Sequence, residues 1–438
     1  MTKQHSSAPK KQHKANPEPR SKTALRLEQI SDVLEQILKF RFAADSVLSK
    51  WFREHKKLGG RDRAEVAEAV FDVLRHLKLY RYLASSGQGP QNRRLAILGW
   101  QASQAEAFST EGLSPYEQEW LQHIAHQDIQ SLPWALRYSV PDWLAEYLQD
   151  IEQSDALMQQ LNQKATLDLR VNPLRLTRDE ALQQIQELYD QQAQATPFSP
   201  WGVRLTTNPG LQQWPLFKNG SLEVQDEGSQ LLCLLTAPKR NELVIDFCAG
   251  AGGKTLLLGA MMRSTGRLYA FDVDEKRLAK AKPRLARSGL SNVTPVLIKN
   301  ENDTRVKRLA SKAHKVLVDA PCSGIGTLRR NPDLKWRQTP EKLQQLLELQ
   351  QSILQSASRC VMPGGRLIYS TCSLLAQENQ EQIKTFLANH PDFTILDIRD
   401  VLGDRAASLQ SDNNGFLQLR PDVHGTDGFF AAVLERSK

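Results

Sequence analysis

The sequence predicts an α/β protein: a doubly wound, mostly parallel seven-stranded sheet of the Rossmann kind, preceded by a small α+β module and an N-terminal helical domain. Three observations predict this. From Ser221 to the end of the 438-residue chain, seven short apolar runs are separated for the most part by helical patterns. The first of these runs opens into a glycine-rich turn of the strand-to-helix kind. Upstream, apolar residues recur at three- and four-residue steps as far as about Asp150, which is the spacing of packed helices.

Residues 1–22 are rich in Lys, Gln, Ser and Pro without an apolar stretch, which predicts a disordered basic arm rather than a secretory signal. Over 23–150, Leu27, Ile30, Val33, Leu34, Ile37 and Leu38 form one helical stripe, and Val66, Val70, Phe71, Val73, Leu74 and Leu77 form another. A Gly-Pro loop near 87–90 divides this bundle, with Trp and Tyr expected as core anchors. Over 160–220, residues 165–171 alternate like a strand, 177–189 read as a capped helix and 203–205 as a second short strand. Turns are expected at Asn172-Pro173 and Asn208-Pro209. The final domain, 221–438, has expected strands at 243–247, 267–272, 293–298, 315–319, 365–370, 393–398 and 428–434.

Composition fits an ordinary globular protein, with 40% hydrophobic and 24% charged residues, and no apolar run reaches the roughly 18 residues of a membrane span. A cytoplasmic monomer without membrane contact is the resulting expectation. The net charge of +8, from 57 Lys+Arg against 49 Asp+Glu, allows either a solvated surface or a polyanionic partner. Basic clusters at 276–287, 305–315 and Arg329-Arg330 with Lys335 and Arg337 favour the second, with RNA as that partner. The five cysteines are odd in number and none has Cys-x-x-Cys spacing, so neither disulfides nor a structural metal is expected. Cys233 and Cys360 fall in apolar helical patterns and are expected in the core.

The first strand of the final domain runs into Asp246-Phe247-Cys248-Ala249-Gly250-Ala251-Gly252-Gly253-Lys254-Thr255. A phosphate-binding P-loop would need glycine where Cys248 stands, and the dinucleotide fingerprint would need glycine where Thr255 stands. What remains is a turn whose glycines let a ligand approach the backbone and whose helix start offers free N–H groups to a carboxylate. Asp272 ends the second strand, 22 residues after Gly250, where an acidic group can hold ribose hydroxyls. A ligand with a ribose and a carboxylate but no pyrophosphate is S-adenosylmethionine. The plainer reading of Asp272 is a strand-end turn residue.

Two further strands end in cysteines, within Val318-Asp319-Ala320-Pro321-Cys322-Ser323-Gly324 and Tyr369-Ser370-Thr371-Cys372-Ser373. The carboxyl ends of parallel strands are where open α/β sheets do their chemistry, and neighbouring strands lie only about 4.8 Å apart. Two such thiols can therefore meet over one substrate. The alternative is that both are small, inert core residues.

Taken together, these residues resemble the Nop/Sun family of RNA cytosine-5 methyltransferases, in particular its bacterial small-subunit rRNA members. The motifs that carry the resemblance are Asp-x-Cys-Ala-x-x-Gly-Gly-Lys from Asp246 to Lys254, Asp-Ala-Pro-Cys-Ser from Asp319 to Ser323 and Thr-Cys-Ser from Thr371 to Ser373. Arg-Arg-x-Pro-Asp-x-Lys-Trp from Arg329 to Trp336 and Asp-Gly-Phe-Phe from Asp427 to Phe430 add to it. The stretch from Asp168 to Leu174 is similar to the family's upstream RNA-binding module. The first 150 residues resemble its antitermination-factor-like, RNA-binding helical domain only loosely, around Gly60-Arg61-Asp62-Arg63 and 70–77. One departure stands in the turn, where Gly250-Ala251 replaces the family's usual Ala-Pro.

The resemblance implies S-adenosylmethionine held by Cys248, Ala249, Gly250, Ala251, Gly252, Gly253 and Lys254, with Asp272 on the ribose, Asp303 (or else Asn300) at the adenine and Asp319 also at the pocket. It implies Cys372 as nucleophile, Asp319 at ring N3, Cys322 in release of the methylated RNA and Lys254 positioning the catalytic loop or base. Carbon 5 of cytosine is a poor nucleophile until a thiolate has added at carbon 6, and the hydrogen on carbon 5 must then be removed before the enzyme can leave. A DNA-type enzyme would instead use Cys322 and a Glu-Asn-Val tripeptide, which the sequence lacks. A tRNA substrate, or a non-catalytic RNA-binding or antitermination factor, are the remaining alternatives.

Overall fold

The computed structural model describes residues 21–409 and 414–438. Of the expected basic arm, residues 1–20 lie outside the described residues. Ser21 and Lys22 already belong to the first helix, Lys22–Ile37, whose exposed N-terminal N–H groups need acceptors; the Ser21 hydroxyl takes one from Ala24 N at 3.1 Å. The chain divides into two compact units, one ending at Ser131 and the other spanning Leu132–Lys438.

The first unit is helical, with Lys22–Ile37, Ala44–Glu54, Gly60–Arg75, Leu77–Ala84, Gln91–Gln104 and Pro115–Ala125 as its longer helices. The two expected stripes face inward: Leu27, Ile30, Leu34, Val66, Val70 and Leu74 are all buried. Trp51, Trp100 and Trp120 are buried too, but Tyr82 and Tyr116 face outward, so the aromatic expectation holds for these indoles and fails for those two phenols.

The expected helical domain runs to Asp150, yet this unit stops at Ser131. The next helices, Trp134–Arg137, Asp142–Leu148 and Ser154–Leu161, bury Leu144, Leu148, Leu157 and Leu161 with Ile325, Leu328, Leu343 and Leu375 of the C-terminal half. Helical periodicity reveals that a face is apolar but not which surface covers it.

A small antiparallel sheet follows, built from β1 (Leu167–Val171), β2 (Ala193–Ala195), β3 (Gly202–Leu205) and β4 (Leu222–Val224) in the order β2-β3-β1-β4. Its helix, Arg178–Tyr189, starts at a capping box: Thr177 Oγ1 accepts from Glu180 N at 3.3 Å and the Glu180 carboxylate accepts from Thr177 N at 2.7 Å. β2 and β4 were not expected, because three residues carry too little alternation to read. β4 also lies beyond the boundary drawn at residue 220, so the small sheet reaches into the stretch assigned to the final domain.

The large sheet contains β5 (Leu243–Asp246), β6 (Arg267–Asp272), β7 (Val293–Leu297), β8 (Ala313–Asp319), β9 (Val361–Thr371), β10 (Phe393–Leu396), β11 (Leu417–Leu419) and β12 (Phe429–Arg436). The order is β10-β12-β9-β8-β5-β6-β7, with β11 pairing with β12. All seven expected strands are present, and the short β11 makes eight. β7, β6, β5, β8 and β9 run parallel, while β10, β11 and β12 pair antiparallel. Ile245, Val316, Val318, Leu367 and Tyr369 enter one core layer, and Val244, Leu317 and Ile368 enter the other. A sheet covered on both faces needs such unbroken apolar strands. The strand expected over 393–398 ends at Leu396, because the Asp397 carboxylate caps the helix Ile398–Leu402 by accepting from Arg399 N at 2.8 Å.

Two features of this topology place the site. β5 lies between β8 and β6, so the crossovers leave it in opposite directions and open a crevice at its carboxyl end. β8 and β9 pair in parallel with Asp319 opposite Ser370, which brings the two cysteine loops out at that same end.

Candidate active site

After β5 the chain turns into the helix Gly253–Met261. Gly250 and Gly252 adopt φ of 56° and 80°, a left-handed conformation that side chains rarely tolerate. A Cβ on Gly250 would also lie 2.7 Å from Arg277 Nη2. The departure from Ala-Pro thus puts a glycine where the backbone here demands one. Beside the turn is a cavity of about 300 Å³ lined by Asp246, Cys248, Ala249, Gly250, Ala251, Gly253, Lys254 and Asp319, among others.

Asp272, at the end of β6, is buried, and its carboxylate braces the turn by accepting from Gly250 N at 2.7 Å and from Asp274 N at 2.8 Å. Asp303 does not line this cavity. Its carboxylate caps the helix Thr304–Lys307, accepting from Arg305 N and Lys299 N, each at 2.9 Å, and these bonds hold its pKa below the usual value. Asn300 is exposed.

Sequence reasoning missed three residues here. Asp246 is buried, and burial pushes its pKa up to about 7 even though Thr255 Oγ1 donates to its Oδ2 at 2.6 Å. Its Oδ1 has no hydrogen-bond partner. Arg170 donates to Gly253 O at 2.7 Å and to Gln225 Oε1 at 2.5 Å, and Arg284 donates to Ala251 O at 2.7 Å. Both guanidiniums hold carbonyls of the glycine turn from elements far away in sequence, so no local pattern could have revealed them.

The two cysteines meet: Cys322 Sγ and Cys372 Sγ are 3.3 Å apart. The hydrogen bond to Cys372, followed by burial, pushes the Cys322 thiol well above its ordinary pKa. Backbone contacts fix the pair, since Gly326 N donates to Cys372 O at 3.0 Å and Gly428 N to Gly326 O at 2.8 Å. A Cβ on Gly326 would lie 2.2 Å from Gly428 O and 2.9 Å from Cys372 O, so only glycine fits between these strands.

Asp319 receives a hydrogen bond from Lys254 Nζ at 2.7 Å. Burial works against the Lys254 ammonium, but the charge and hydrogen bond of Asp319 outweigh it and hold the lysine pKa above its ordinary value. Lys254 and Asp319 both line the cavity, and Asp319 leads within three residues into the loop that carries Cys322. Cys233 and Cys360 are buried as expected, and burial raises both thiols to about 12. Cys248 sits at the cavity with its thiol pushed well above the usual value by burial.

The basic clusters divide into two kinds. Lys276, Arg277, Lys280 and Lys282 are exposed, as are Arg305, Lys307, Arg308 and Lys312. In the third cluster Lys335 and Arg329 are buried and Arg330 is clamped between Asp427 at 2.6 Å and Asp226 at 3.0 Å, while Arg337 is part-exposed and paired with Asp333 at 3.2 Å. Most of its charge is turned inward rather than toward a phosphate, contrary to expectation. In the strand similar to an RNA-binding module, Asp168, Arg170 and Asn172 are likewise buried and bonded internally. A charge pattern in sequence does not distinguish a solvated cation from one neutralised by a distant carboxylate. Among the described residues, no helix is long and apolar enough to cross a membrane.

Residues 233–435 match the family model described as 16S rRNA methyltransferase RsmB/F, and residues 140–212 match that described as a Methyltr_RsmF/B-like, ferredoxin-like domain. The chain is 31% identical over 438 aligned residues to the ribosomal RNA small subunit methyltransferase B of Shewanella oneidensis, covering 94% of this chain and 98% of that one. It is 36% identical over 305 residues to the probable ribosomal RNA small subunit methyltransferase B of a Synechocystis species, covering 69% and 68% of the two chains. A solved methyltransferase homolog protein from Pyrococcus horikoshii is similar with a TM-score of 0.59 at 28% identity, over 69% of this chain and 97% of that one.

Proposed function

Because this chain belongs to the 16S rRNA methyltransferase RsmB/F family, we propose that it methylates carbon 5 of a cytosine in small-subunit ribosomal RNA, with S-adenosylmethionine as methyl donor. The observation that carries the reading is the pair of sulfurs 3.3 Å apart, on two loops that leave the same end of the sheet as the Lys254–Asp319 pair and its glycine-lined cavity. One catalytic thiol would be an ordinary nucleophile. Two, within hydrogen-bond reach of each other, suit a reaction that must both add to a ring carbon and leave it again.

The residues of the cavity fit the donor. Gly250 and Gly252 leave room for close approach, the helix start at Gly253 presents N–H groups to a carboxylate, and the unpartnered Asp246 Oδ1 awaits a cationic or donor group. Cys248 to Lys254 and Asp319 would hold S-adenosylmethionine, with Asp272 on the ribose; Asp303 remains assigned to the adenine by family likeness, ahead of Asn300. When bound, this donor supplies an activated methyl group to carbon 5.

Cys372, as thiolate, adds to carbon 6 of the cytosine, and the Asp319 carboxyl group supplies a proton to N3, meeting the negative charge that develops there. Lys254 holds Asp319 in place for that contact. Once carbon 5 is methylated, its proton passes to a base in the site, the electron pair of that C–H bond forms the carbon 5–carbon 6 double bond, and Cys372 leaves carbon 6 as thiolate with the pair of the broken bond. Cys322 serves this release. The target base must leave any stack to reach the thiols, so a single-stranded or flipped nucleotide is the substrate. The helical unit ending at Ser131 and the module around β1–β4 would bind RNA, with the ribosomal substrate favoured over tRNA. Bisulfite sequencing of total RNA with and without the gene tests the reading: loss of a protected cytosine in 16S rRNA is expected, and loss only in tRNA would overturn the ribosomal assignment.

Two further outcomes follow. Asp272→Ala should lose two charge-assisted hydrogen bonds to the ribose, about 1.5–3 kcal/mol each, together with the brace on Gly250. Calorimetry should therefore show a large fall in S-adenosylmethionine affinity, and an unchanged affinity would remove Asp272 from the site. RNA binding should weaken with salt by about 0.7–0.9 in the slope of log K against log salt per phosphate neutralised. Charge reversal at Lys276 and Lys280, or at Lys307 and Arg308, should lower that slope. A flat response in the parent protein would mean that the +8 charge is a solvated surface.

A further inference from the structure

Beneath the two thiols lies a buried polar cluster that the reaction described above does not use. Glu378 is fully buried, and its carboxylate accepts from Ser323 N at 2.8 Å, from the Ser323 hydroxyl and from Gln350 Nε2 at 3.0 Å. Gln350 Nε2 also donates to Pro321 O at 2.9 Å. Glu378 thus grips the residues on both sides of Cys322, one directly and one through Gln350. Its own carbonyl is anchored to the sheet by the Tyr369 hydroxyl at 2.7 Å.

The next residue does the same for the other thiol. Asn379 Oδ1 accepts from Thr371 Oγ1 at 2.5 Å, and its Nδ2 donates to Ser373 O at 3.0 Å. These are the two neighbours of Cys372. The cluster closes between the loops, where Ser323 Oγ and Ser373 Oγ are 3.2 Å apart. Two consecutive residues of one short turn therefore hold the two cysteine loops in a common frame.

We propose that Glu378 and Asn379 are positioning residues that divide the labour of the thiols, Glu378 setting Cys322 for release of the methylated base and Asn379 setting Cys372 for addition. The proposal rests on the roles given to the two cysteines above. A buried carboxylate is costly to maintain, and three donors converging from the Cys322 loop and the helix behind it give it a purpose beyond packing. Its charge also contributes to raising the Cys322 thiol.

The test uses the full-length protein, a 16S rRNA fragment and S-adenosylmethionine, with three readouts: single-turnover methyl transfer, steady-state turnover and the protein–RNA adduct on denaturing gels. Displacements on the order of 1 Å at a reacting group can cost about 10²-fold. Glu378→Ala should keep single-turnover methylation near the parent rate, lose turnover by up to that factor and accumulate adduct. Glu378→Gln should restore release, since its carbonyl can accept from Ser323 N and Gln350 while its amide donates to a reversed Ser323 hydroxyl. Asn379→Ala should slow adduct formation itself without accumulating adduct. Should Glu378→Ala fail to fold, Ser323→Ala and Gln350→Ala loosen the same loop and should also accumulate adduct. Normal release in the folded variants of this loop, a release defect that Glu378→Gln does not repair, or the same step lost in the Glu378 and Asn379 variants overturns the proposal. Cys322→Ala is the control: if it accumulates no adduct, the roles of the thiols are wrong and the proposal falls with them.

Discussion

Cys372→Ala should abolish both methyl transfer and the covalent adduct, while Cys322→Ala should methylate once and stay bound to its RNA. The reason lies in the unequal situation of two sulfurs only 3.3 Å apart. The two sulfurs are within hydrogen-bond reach, and the Cys322 thiol is pushed well above its ordinary pKa by that contact and by burial. Coupled thiols lose their protons in two separate steps, so a single thiolate forms first. Without Cys372 nothing else can add to carbon 6, so the loss should be complete rather than partial. Without Cys322 the addition proceeds and release fails, so a band of protein linked to RNA should survive denaturing electrophoresis. The reverse pattern, with Cys322→Ala inert and Cys372→Ala trapped, would mean a DNA-type arrangement of the thiols. Full activity in both variants would return the cysteines to simple packing.

Asp319→Asn should lower single-turnover methylation by about 10²–10⁴-fold, the usual range for losing a positioned acid–base group. The substitution keeps the shape of the side chain and removes its capacity to carry a proton to N3. It also leaves the Lys254 ammonium, whose side chain is only 13% exposed, without its carboxylate. That second effect must be separated from the first, because an orphaned buried charge is itself destabilising. Lys254→Met in the Asp319→Asn background removes the orphan. If Asp319 acts on the base, the double variant should remain as slow as Asp319→Asn alone, with adduct formation lost in both. Recovery of the rate in the double variant would show that Asp319 merely neutralises Lys254.

The residues that act locally were legible. Gly250 and Gly252 stand out because a strand-to-helix turn needs left-handed backbone, and the structure gives both residues positive φ. Cys322 and Cys372 stand out because each follows an apolar run, and parallel register alone then brings their loops to one end of the sheet. The central strands β5, β8 and β9 were legible because a strand buried on both faces must be apolar almost throughout, whereas the edge strands β7 and β10 are short runs with exposed residues. The three-residue β2, β4 and β11 were not, because so short a run carries too little pattern.

Long-range pairing was the other blind spot. Arg330 reads as part of a basic patch until Asp226 and Asp427 are seen on either side of it. Arg170 reads only as part of a stretch similar to an RNA-binding module until its bond to Gly253 O is seen, and Glu378 carried no signal at all, though it lies only six residues beyond Cys372. Composition and spacing by themselves determined the fold class, the glycine turn and the end of the sheet at which the two thiols stand, because these depend on backbone conformation and on the period of burial along one strand. Only the tertiary structure decided which charges are solvent-facing, where the helical unit ends and what holds the thiols in register. A charge's meaning depends on its partner, and here the partners are 97 and 104 residues from Arg330 in sequence, brought within hydrogen-bond reach only by packing the sheet and its surrounding elements together.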